Sequence, residues 1–309
     1  MGEPEPLLSV IVPTRGRPRQ LVEHLESMTR LRYPVERYEL IVVDDGGPRS
    51  LDGVVAPFRA SLPLTLIRQD PLGPGAARNA GAARARGRYL VFTADDCQPA
   101  VDWLAALERR FGACSDTMIG GTVDNGTPDD LCATTNYLLI DYLYRCHDRQ
   151  TWKMPFFTPN NLALPCDLFR RIGGFDESIG ATGEDRELCG RWLASGFAMV
   201  WAADVVVRHV HPQNVRTFWQ QHVAYGRGSR RFYHRRPPRQ GEPPGAGWLP
   251  EGPAFYWKLL RYPLARSPGY RGSVQAGLMV LSQIANTLGF VLEGVRLRTE
   301  TRAVAGRTR

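Results

Sequence analysis

Short apolar runs alternate with amphipathic segments along the first third of the chain, and this alternation limits the possible folds more than any other feature. Buried β-strands are predicted at four such runs, residues 7–12, 40–43, 64–67 and 89–92. Residues 20–29 and 76–85 lie between them and are typical of helices. Apolar strands separated by helices form parallel sheets that helices cover on both faces. The sequence therefore predicts an α/β fold with a mainly parallel sheet.

Three of the predicted strands end in polar turns, at residues 13–16, 44–47 and 94–97. Open α/β sheets bind ligands at the carboxyl ends of their strands, so these turns mark a candidate site. In the last turn Asp95 and Asp96 place two carboxylates side by side. A divalent cation such as Mg²⁺ would relieve that concentration of negative charge. Taken alone, the same dipeptide is equally typical of a plain β-turn.

Six motifs in order between residues 7 and 230 resemble those of family-2 glycosyltransferases. They are residues 8–14, 41–46, 75–81, 92–97, 173–177 and 183–185. Each motif is weak alone, whereas the ordered set is specific. The resemblance implies a GT-A fold, which is Rossmann-like with a mainly parallel mixed sheet, and an inverting reaction. It also implies a nucleoside-diphosphate-sugar donor, with UDP as the nucleotide, and a divalent metal, Mn²⁺ or Mg²⁺.

The resemblance also implies which residues bind the donor. They are Pro13, Thr14, Arg15, Asp44, Asp45, Gly75, Arg78 and Asp95. The first three would border the nucleoside, and the carboxylates of Asp44 and Asp45 would accept hydrogen bonds from the base and ribose. Gly75, just before a predicted helix, would let the backbone approach the ligand closely. Arg78 would lie near the base or the diphosphate.

The metal motif of the family is Asp-x-Asp, and Ala94 stands at its first position in this sequence. Asp96 aligns with the principal metal ligand, while Asp95 occupies the variable middle position. His209 and His211 lie where related enzymes complete the metal site or contact the diphosphate, and imidazole suits Mn²⁺. The departure at Ala94 weakens the predicted metal affinity but not the predicted location of the diphosphate.

Glu184 and Asp185 resemble the Glu-Asp motif that the family carries at a helix start. An inverting transfer needs a carboxylate that takes the proton from the attacking acceptor hydroxyl, and the resemblance gives this role to Asp185. Glu184 would orient the site or touch the acceptor. Acidic residues also stabilise helix N-termini, which would explain the pair without catalysis. The stretch where the family builds its acceptor pocket contains Trp152, Phe156, Phe157, Asn160 and Asn161, although core packing explains the aromatic residues equally well.

The composition changes after residue 227, where Arg, Pro and Gly become frequent. We therefore predict a catalytic domain over residues 1–230 and, over residues 231–309, a basic linker with a C-terminal helical extension. In the extension, residues 273–295 have apolar side chains at helical spacing and an opposite polar stripe of Gln275, Ser282, Asn286 and Glu293. A membrane-spanning helix needs about 20 predominantly apolar residues, so this stripe indicates an amphipathic helix instead.

A formal net charge of +8 suits an anionic partner. The basic aromatic stretch at residues 225–239 and the amphipathic helix together favour an anionic membrane surface. No nucleic-acid motif is present, and the acidic strand ends would repel a phosphate backbone, so we expect no nucleic-acid partner. The six cysteines lack zinc spacing and suit a reducing compartment. We expect a cytoplasmic protein, peripheral on the inner face of the cell membrane, with a glycan, lipid-linked or small-molecule acceptor.

Two other classes of protein fit parts of the pattern. A non-catalytic module that binds nucleotide sugars or carbohydrates on the same fold would accommodate the missing carboxylate at Ala94. A nucleotidyltransferase also pairs an α/β sheet with a carboxylate-bound metal. That class would need a basic phosphate-binding loop after the first strand, which residues 14–17 resemble only faintly.

Overall fold

The computed structural model describes residues 6–146, 156–180, 182–235 and 252–307. The chain divides into two compact units. Unit 1 comprises Met1–Gly126, Met154–Gly180 and Asp185–Val210. Unit 2 comprises Thr127–Lys153, Ala181–Glu184 and His211–Arg309. All three polar turns predicted to bind a ligand therefore lie in unit 1.

Unit 1 contains an eight-stranded sheet with the strand order β3-β2-β1-β4-β7-β6-β8-β5. Its strands are β1 (Leu8–Thr14), β2 (Tyr38–Asp45), β3 (Leu64–Gln69), β4 (Tyr89–Phe92), β5 (Cys97–Pro99), β6 (Met118–Asn125), β7 (Leu162–Pro165) and β8 (Met199–His209). The first four pair in parallel, β7 is antiparallel to β4 and β6, and β8 is parallel to β6 and antiparallel to β5. The predicted α/β class and the four predicted strands are confirmed, in a mixed sheet.

Helices connect the strands at the places that the periodicity predicts. Those of the described residues are α1 (Pro18–Met28), α2 (Asp52–Val55), α3 (Pro74–Arg84), α4 (Trp103–Ala113), α5 (Leu131–Cys146), α6 (Cys166–Arg171), α7 (Glu184–Ala194), α8 (Val215–Arg235), α9 (Pro253–Arg266) and α10 (Tyr270–Arg307). The helices expected at residues 20–29 and 76–85 are α1 and α3. Helices α5, α8, α9 and α10 belong to unit 2.

Helix α3 lies very close to the sheet because its residues are small. A Cβ atom added to Gly81 would come within 2.5 Å of Ile11 Cγ2 on β1, and within 3.3 Å of Val43 Cγ2 on β2. The helix starts sharply, with Gly73 at a φ of 96° and Pro74 at the first helical position. The run of Ala and Gly therefore reflects close helix–sheet packing, and it fixes the start of α3 at the carboxyl ends of β1 and β2.

The buried amide of Asn161 connects three elements of unit 1. Its Oδ1 accepts a hydrogen bond from Trp103 Nε1 on α4 at 3.0 Å, and its Nδ2 donates to Thr122 O at 2.8 Å and Val205 O at 2.9 Å. The register between β6 and β8 shifts at Gly121 and Thr122, which leaves carbonyl groups without ladder partners there. Asn161 satisfies those carbonyls. The expectation that it lines an acceptor pocket is therefore wrong, because its side chain is buried among backbone groups.

Replacing Asn161 with Ala removes three hydrogen bonds and leaves the Trp103 N–H and two carbonyls buried without partners. We expect the free energy of unfolding to fall by about 3 kcal/mol, measured by urea denaturation. Asn160→Ala is the control, since that neighbouring side chain is only half-buried. Equal stability of the two variants would show that the amide does not support the irregular β6–β8 pairing.

Unit 2 is helical in its described residues, and aromatic side chains hold its helices together. Tyr142 Oη on α5 donates to Phe255 O on α9 at 2.9 Å, and Tyr262 Oη on α9 donates to Asp141 Oδ2 at 2.5 Å. Met279 of α10 is fully buried in the same apolar cluster. The C-terminal helical extension predicted from the periodicity is therefore present, and its helices α9 and α10 share one core with α5.

Helices α8 and α10 touch through their backbones. A Cβ atom added to Gly226 would lie 1.9 Å from Asn286 O, and one added to Gly289 would lie 2.0 Å from Val223 O. Helix α8 continues through residue 230, where we expected the catalytic domain to end. The predicted basic linker falls largely on residues 236–251, which lie outside the described residues.

Helix α10 is longer than the predicted segment at residues 273–295. Within Tyr270–Thr299 the mean hydropathy of the most apolar 18-residue window is 1.4, and one third of that window is buried. By length and composition alone this helix could cross a membrane, which differs from our expectation from the polar stripe. Whether this helix is interpreted as membrane-spanning or as amphipathic therefore depends on which way its polar stripe faces.

Candidate active site

The carboxyl ends of β1 and β4 meet at the acidic turn. Thr14 Oγ1 donates a hydrogen bond to Asp95 Oδ2 at 2.7 Å. Arg17 Nη1 lies 3.0 Å from Asp95 Oδ1, and Nη2 of the same guanidinium pairs with Asp96 Oδ2. Both carboxylates are buried, and burial raises the pKa of Asp95 to about 6, although Arg17 acts in the opposite direction. One arginine therefore compensates two adjacent buried acids.

Arg17 is a site residue that the sequence analysis missed, whereas Arg15, expected to border the nucleoside, has an exposed side chain. The strand β1 ends at Thr14, and Gly16 then adopts a φ of 63°. This left-handed turn, which favours glycine, directs the chain into α1 and returns Arg17 to the acidic turn. The only sequence signal was Gly16 between two arginines, and that pattern does not distinguish one arginine from the other.

Asp96 also contacts His209, at 3.3 Å between Oδ1 and Nε2. The antiparallel pairing of β5 with β8 aligns Cys97 with His209, which explains how two distant segments meet here. His211 follows two residues later, where the third segment of unit 2 begins. Each of the three residues Asp96, His209 and His211 offers one ligand atom of a type that Mn²⁺ accepts. The donor set therefore fits a divalent metal.

His24 of α1 lies beneath the acidic turn and is fully buried. Its Nδ1 is 2.6 Å from the carbonyl oxygen of Cys97. Burial lowers the pKa of His24 to about 4, so the ring is neutral at physiological pH. Because a carbonyl can only accept, the neutral ring carries its proton on Nδ1 and donates it. His24 thereby fixes the backbone next to Asp96 without adding charge.

The depressed pKa of His24 predicts a loss of stability in acid. The unfolded chain takes up a proton on this histidine below about pH 6.5, whereas the folded protein resists protonation down to about pH 4. The neutral His24 ring therefore makes its full contribution to the free energy of unfolding above pH 6.5. This contribution is lost as the pH falls from 6.5 towards 4. Between pH 7 and pH 5 we expect the free energy of unfolding to fall by about 2 kcal/mol more in the wild type than in His24→Gln.

Urea denaturation at the two pH values measures this difference. His234→Gln is the control, because that histidine is exposed and its loss leaves the acid sensitivity unchanged. A His24→Gln protein that loses stability in acid as steeply as the wild type would contradict the assignment.

The turn after β2 is organised by its two aspartates. Asp44 Oδ1 accepts a hydrogen bond from Gly47 N at 2.9 Å, and Arg68 Nε lies 3.7 Å from Asp44 Oδ2. Asp45 accepts three hydrogen bonds, from Gln69 Nε2 at 2.8 Å, Leu72 N at 2.9 Å and Gly73 N at 3.0 Å. Both predicted donor-binding aspartates therefore also hold the loop that leads into α3. Pro13, another predicted contact, is half-buried in β1 opposite Val43.

Two predicted donor-binding residues lie on α3, and one of them is placed differently from the expectation. Gly75 was expected just before the helix, which is wrong: α3 begins at Pro74, so Gly75 lies in its first turn. The glycine that adopts the positive φ is Gly73. Arg78 is buried, and its guanidinium lies over the ring of Phe175 at 5.4 Å.

Two of the family motifs contact each other. Asn79, in the motif at residues 75–81, donates from Nδ2 to Phe175 O and accepts from Phe175 N, both at 2.9 Å. Gly174 has a φ of 70°, and an added Cβ atom there would lie 2.7 Å from Asn79 Oδ1. The motif at residues 173–177 therefore forms a turn that Asn79 clamps to α3.

The predicted base lies at the start of α7. Glu184 is the first residue of this helix and is buried, and Asp185 follows it, half-buried. Asp185 Oδ1 accepts a hydrogen bond from Arg186 N at 2.8 Å, and the guanidinium of Arg186 lies 4.3 Å from the ring centroid of Phe156. The helix N-terminus thus presents a carboxylate next to an arginine–aromatic pair.

Comparison of the sequence with known families gives the same class of protein as these features. The family model for "Glycosyl transferase family 2" matches residues 9–173, more than half of the chain, and that for "Glycosyl transferase family group 2" matches residues 135–292. The protein is a GT-A glycosyltransferase, an enzyme that transfers sugar from a nucleotide-sugar donor. The chain belongs to glycosyltransferase family 2.

Several named relatives are similar to this chain. Glycosyltransferase AglE of Haloferax volcanii is 27% identical over 215 residues, 66% of this chain and 67% of AglE. Validoxylamine A glucosyltransferase of Streptomyces hygroscopicus subsp. jinggangensis is 27% identical over 248 residues, 68% of this chain and 58% of that protein. The match to the pre-mycofactocin glycosyltransferase of Mycobacterium tuberculosis, also 27% identical, covers 71% of this chain and 46% of that protein. The chain therefore spans between about half and two thirds of these relatives.

Two solved structures show the fold. The mannosyltransferase PcManGT from Pyrobaculum calidifontis, in complex with GDP-Man and Mn²⁺, matches with a TM-score of 0.63 at 19% identity, over 92% of this chain and 87% of that chain. S. aureus TarS 1-349, in complex with UDP-GlcNAc, matches with a TM-score of 0.53 at 14% identity, over 94% and 92% of the two chains. The predicted GT-A fold is confirmed. Membership of the family favours an enzyme over the non-catalytic binding module and over the nucleotidyltransferase.

Proposed function

We propose that this enzyme transfers a sugar, with inversion, from a UDP-sugar to an acceptor hydroxyl, with Asp185 as the general base. Asp185 takes the proton of the acceptor hydroxyl as its oxygen bonds to the anomeric carbon, and the bond from that carbon to the diphosphate breaks. The observation that carries the proposal is the carboxylate at the N-terminus of α7, fixed by Arg186 N at 2.8 Å. A carboxylate at a helix N-terminus interacts favourably with the helix dipole. Glu184, the preceding residue, orients this site or contacts the acceptor.

The donor binds at the carboxyl ends of β1 and β2 in this proposal. Asp44 Oδ2 is buried without a hydrogen-bond donor among the described residues. An N–H group of the donor's nucleobase would supply that hydrogen bond. Asp45 contacts the ribose, and Pro13, Thr14 and Arg15 border the nucleoside. The start of α3, with Gly75 and Arg78, faces the nucleobase or the diphosphate of the donor. Asp95 is also a donor-binding residue in this proposal.

Asp96, His209 and His211 would hold the metal, which is Mn²⁺ or Mg²⁺. When bound, the metal supplies Lewis-acid stabilisation to the diphosphate leaving group. Carboxylate and imidazole suit Mn²⁺ better than the all-oxygen shell that Mg²⁺ prefers. PcManGT was solved in complex with Mn²⁺, which supports a metal in a protein of this fold. Because Ala94 supplies no carboxylate, the metal relies on the two histidines more than the family motif implies.

The acceptor is a glycan, a lipid-linked sugar or a small molecule in this proposal. The protein acts in the cytoplasm, peripherally on the inner face of the cell membrane, where an anionic membrane surface is its partner. The formal charge of +8 supports such a partner.

The Asp185→Asn variant tests whether Asp185 is the general base. An amide has nearly the same shape but cannot take up the proton, so we expect UDP release from a panel of UDP-sugars with Mn²⁺ and an acceptor to fall at least a hundredfold. The Tm and the affinity for UDP stay unchanged. Asp204→Asn is the control, since Asp204 pairs with Arg110 on the exposed surface of unit 1. Full turnover by Asp185→Asn would refute the assignment of this residue.

Arg17→Gln tests the metal site. A divalent ion at Asp96 meets the positive charge of Arg17, which already pairs with Asp96 Oδ2. Removing that charge lowers the electrostatic cost of bringing a dication to this turn, so we expect Mn²⁺ to bind about tenfold more tightly. Titration followed by electron paramagnetic resonance of free Mn²⁺ measures the affinity without turnover.

Arg15→Gln is the matched control, because it removes an exposed arginine two residues away. Its Mn²⁺ affinity stays at the wild-type value. Equal or weaker Mn²⁺ binding by Arg17→Gln would show that Asp96 does not hold the ion.

A further inference from the structure

Helix α10 turns its polar stripe into unit 2 and its apolar side chains outward. Gln275, Ser282 and Glu293 are at most 3% exposed. On the opposite side the exposed apolar residues are Val274, Val280, Ile284, Leu288, Val291, Leu292 and Val295, which are 41% to 60% exposed. A surface helix of a water-soluble domain has the reverse arrangement, with its polar side chains in solvent.

Contacts with helix α8 hold this orientation. Glu293 Oε1 lies 3.3 Å from Arg231 Nε and 3.8 Å from Arg296 Nη1, so the buried acid is compensated by two arginines. Arg230 of α8 lies over the ring of Phe290 at 5.1 Å. Together with the glycine contacts between α8 and α10, these pairs fix which side of α10 faces inward. These contacts therefore also determine that the apolar side of α10 faces outward.

The outward side forms a continuous strip. Residues 280, 284, 288, 291 and 295 follow one another at intervals of four or three, which places them on one side of the helix. At a rise of 1.5 Å per residue the strip is about 22 Å long. Apolar side chains scattered singly over a surface need no explanation, but a contiguous strip of this size marks an interaction site.

The exposed charged side chains of α9 and α10 between residues 253 and 299 are all positive. Lys258, Arg261 and Arg266 on α9 and Arg296 and Arg298 on α10 are exposed. Between residues 253 and 299 the single acidic residue is Glu293, which is buried. Trp257 and Tyr270, which are 63% and 75% exposed, add aromatic side chains of the kind that membrane interfaces favour. Apolar, aromatic and cationic groups together match an anionic lipid surface.

We propose that the apolar strip of α10 lies in the surface of an anionic lipid bilayer, with the cationic side chains of α9 and α10 at the level of the headgroups. A second copy of the chain would bring the same positive charges against this surface, which charge complementarity disfavours. A spanning arrangement would carry Glu293 and the arginines of α8 packed against α10 into hydrocarbon, which is costly. The proposal rests on the membrane partner proposed above and identifies the surface that contacts it.

This surface is only one part of the one that the sequence indicated, which also included the amphipathic helix. The basic aromatic stretch at residues 225–239 was expected to face the membrane, but its first part forms the end of α8. Arg230 and Arg231 there are mostly covered and turn toward α10. The outward apolar strip, rather than this arginine cluster, carries the proposal.

The test is co-sedimentation of the full chain with vesicles, without donor or acceptor. We expect the wild type to bind vesicles that contain phosphatidylserine, and to bind pure phosphatidylcholine vesicles more weakly. Ile284→Glu combined with Val291→Glu replaces two exposed side chains with anionic ones, so the fold persists and binding falls at least tenfold. Val35→Glu, at an exposed valine in unit 1, is the control and keeps wild-type binding. Lys258→Gln combined with Arg261→Gln and Arg266→Gln weakens binding severalfold, and only to the anionic vesicles.

Three results would overturn the proposal. The first is a wild type that does not bind phosphatidylserine vesicles, and the second is equal binding by the Ile284→Glu/Val291→Glu protein. The third is a concentration-dependent dimer in sedimentation equilibrium that this double variant abolishes, because the strip would then cover a second copy. UDP binding by each variant is measured separately, so a failure of the transferase proposal is distinguishable from a failure at this surface.

Discussion

Two adjacent buried carboxylates, Asp95 and Asp96, impose the main physical constraint on unit 1, since buried acids are tolerated only when their charge is compensated. The positive charge comes from Arg17, which follows β1, and His209 at the end of β8 lies against Asp96. The strand order brings both to the same turn, because β1 pairs with β4 and β5 pairs with β8. The strand order of the sheet therefore brings the residues of the candidate active site together.

The metal site that we propose at the same turn lacks one acid of the family motif. With Ala94 in place of a carboxylate, the remaining pair is already balanced by one guanidinium, and His24 supports the backbone from below without adding charge. A dication bound at Asp96, as we propose, would share this carboxylate with Arg17. The affinity of the proposed site would then depend on Arg17 as well as on the acids.

The sequence predicted those features that depend on periodicity and on local turn chemistry. The four parallel strands, helices α1 and α3 and the acidic turns were predicted because each leaves a local pattern. Arg17 was missed because its position depends on the backbone angle of Gly16. Asn161 was misassigned because the irregular β6–β8 pairing that it satisfies leaves no local pattern. For α10 the sequence predicted the polar stripe correctly. Helical periodicity does not show, however, which side of a helix packs against the rest of the protein.

The glycine contacts between α8 and α10 have a consequence for the thermodynamics of surface binding. With Gly226 against Asn286 O and Gly289 against Val223 O, the two backbones approach too closely for a side chain at either glycine. Fixing a flexible residue costs roughly 1–2 kcal/mol of backbone entropy, and a disordered tail would lose this amount at each residue that it orders. A helix that is already held in register has little such entropy left to lose. Its outward side is therefore preorganised for whatever it covers.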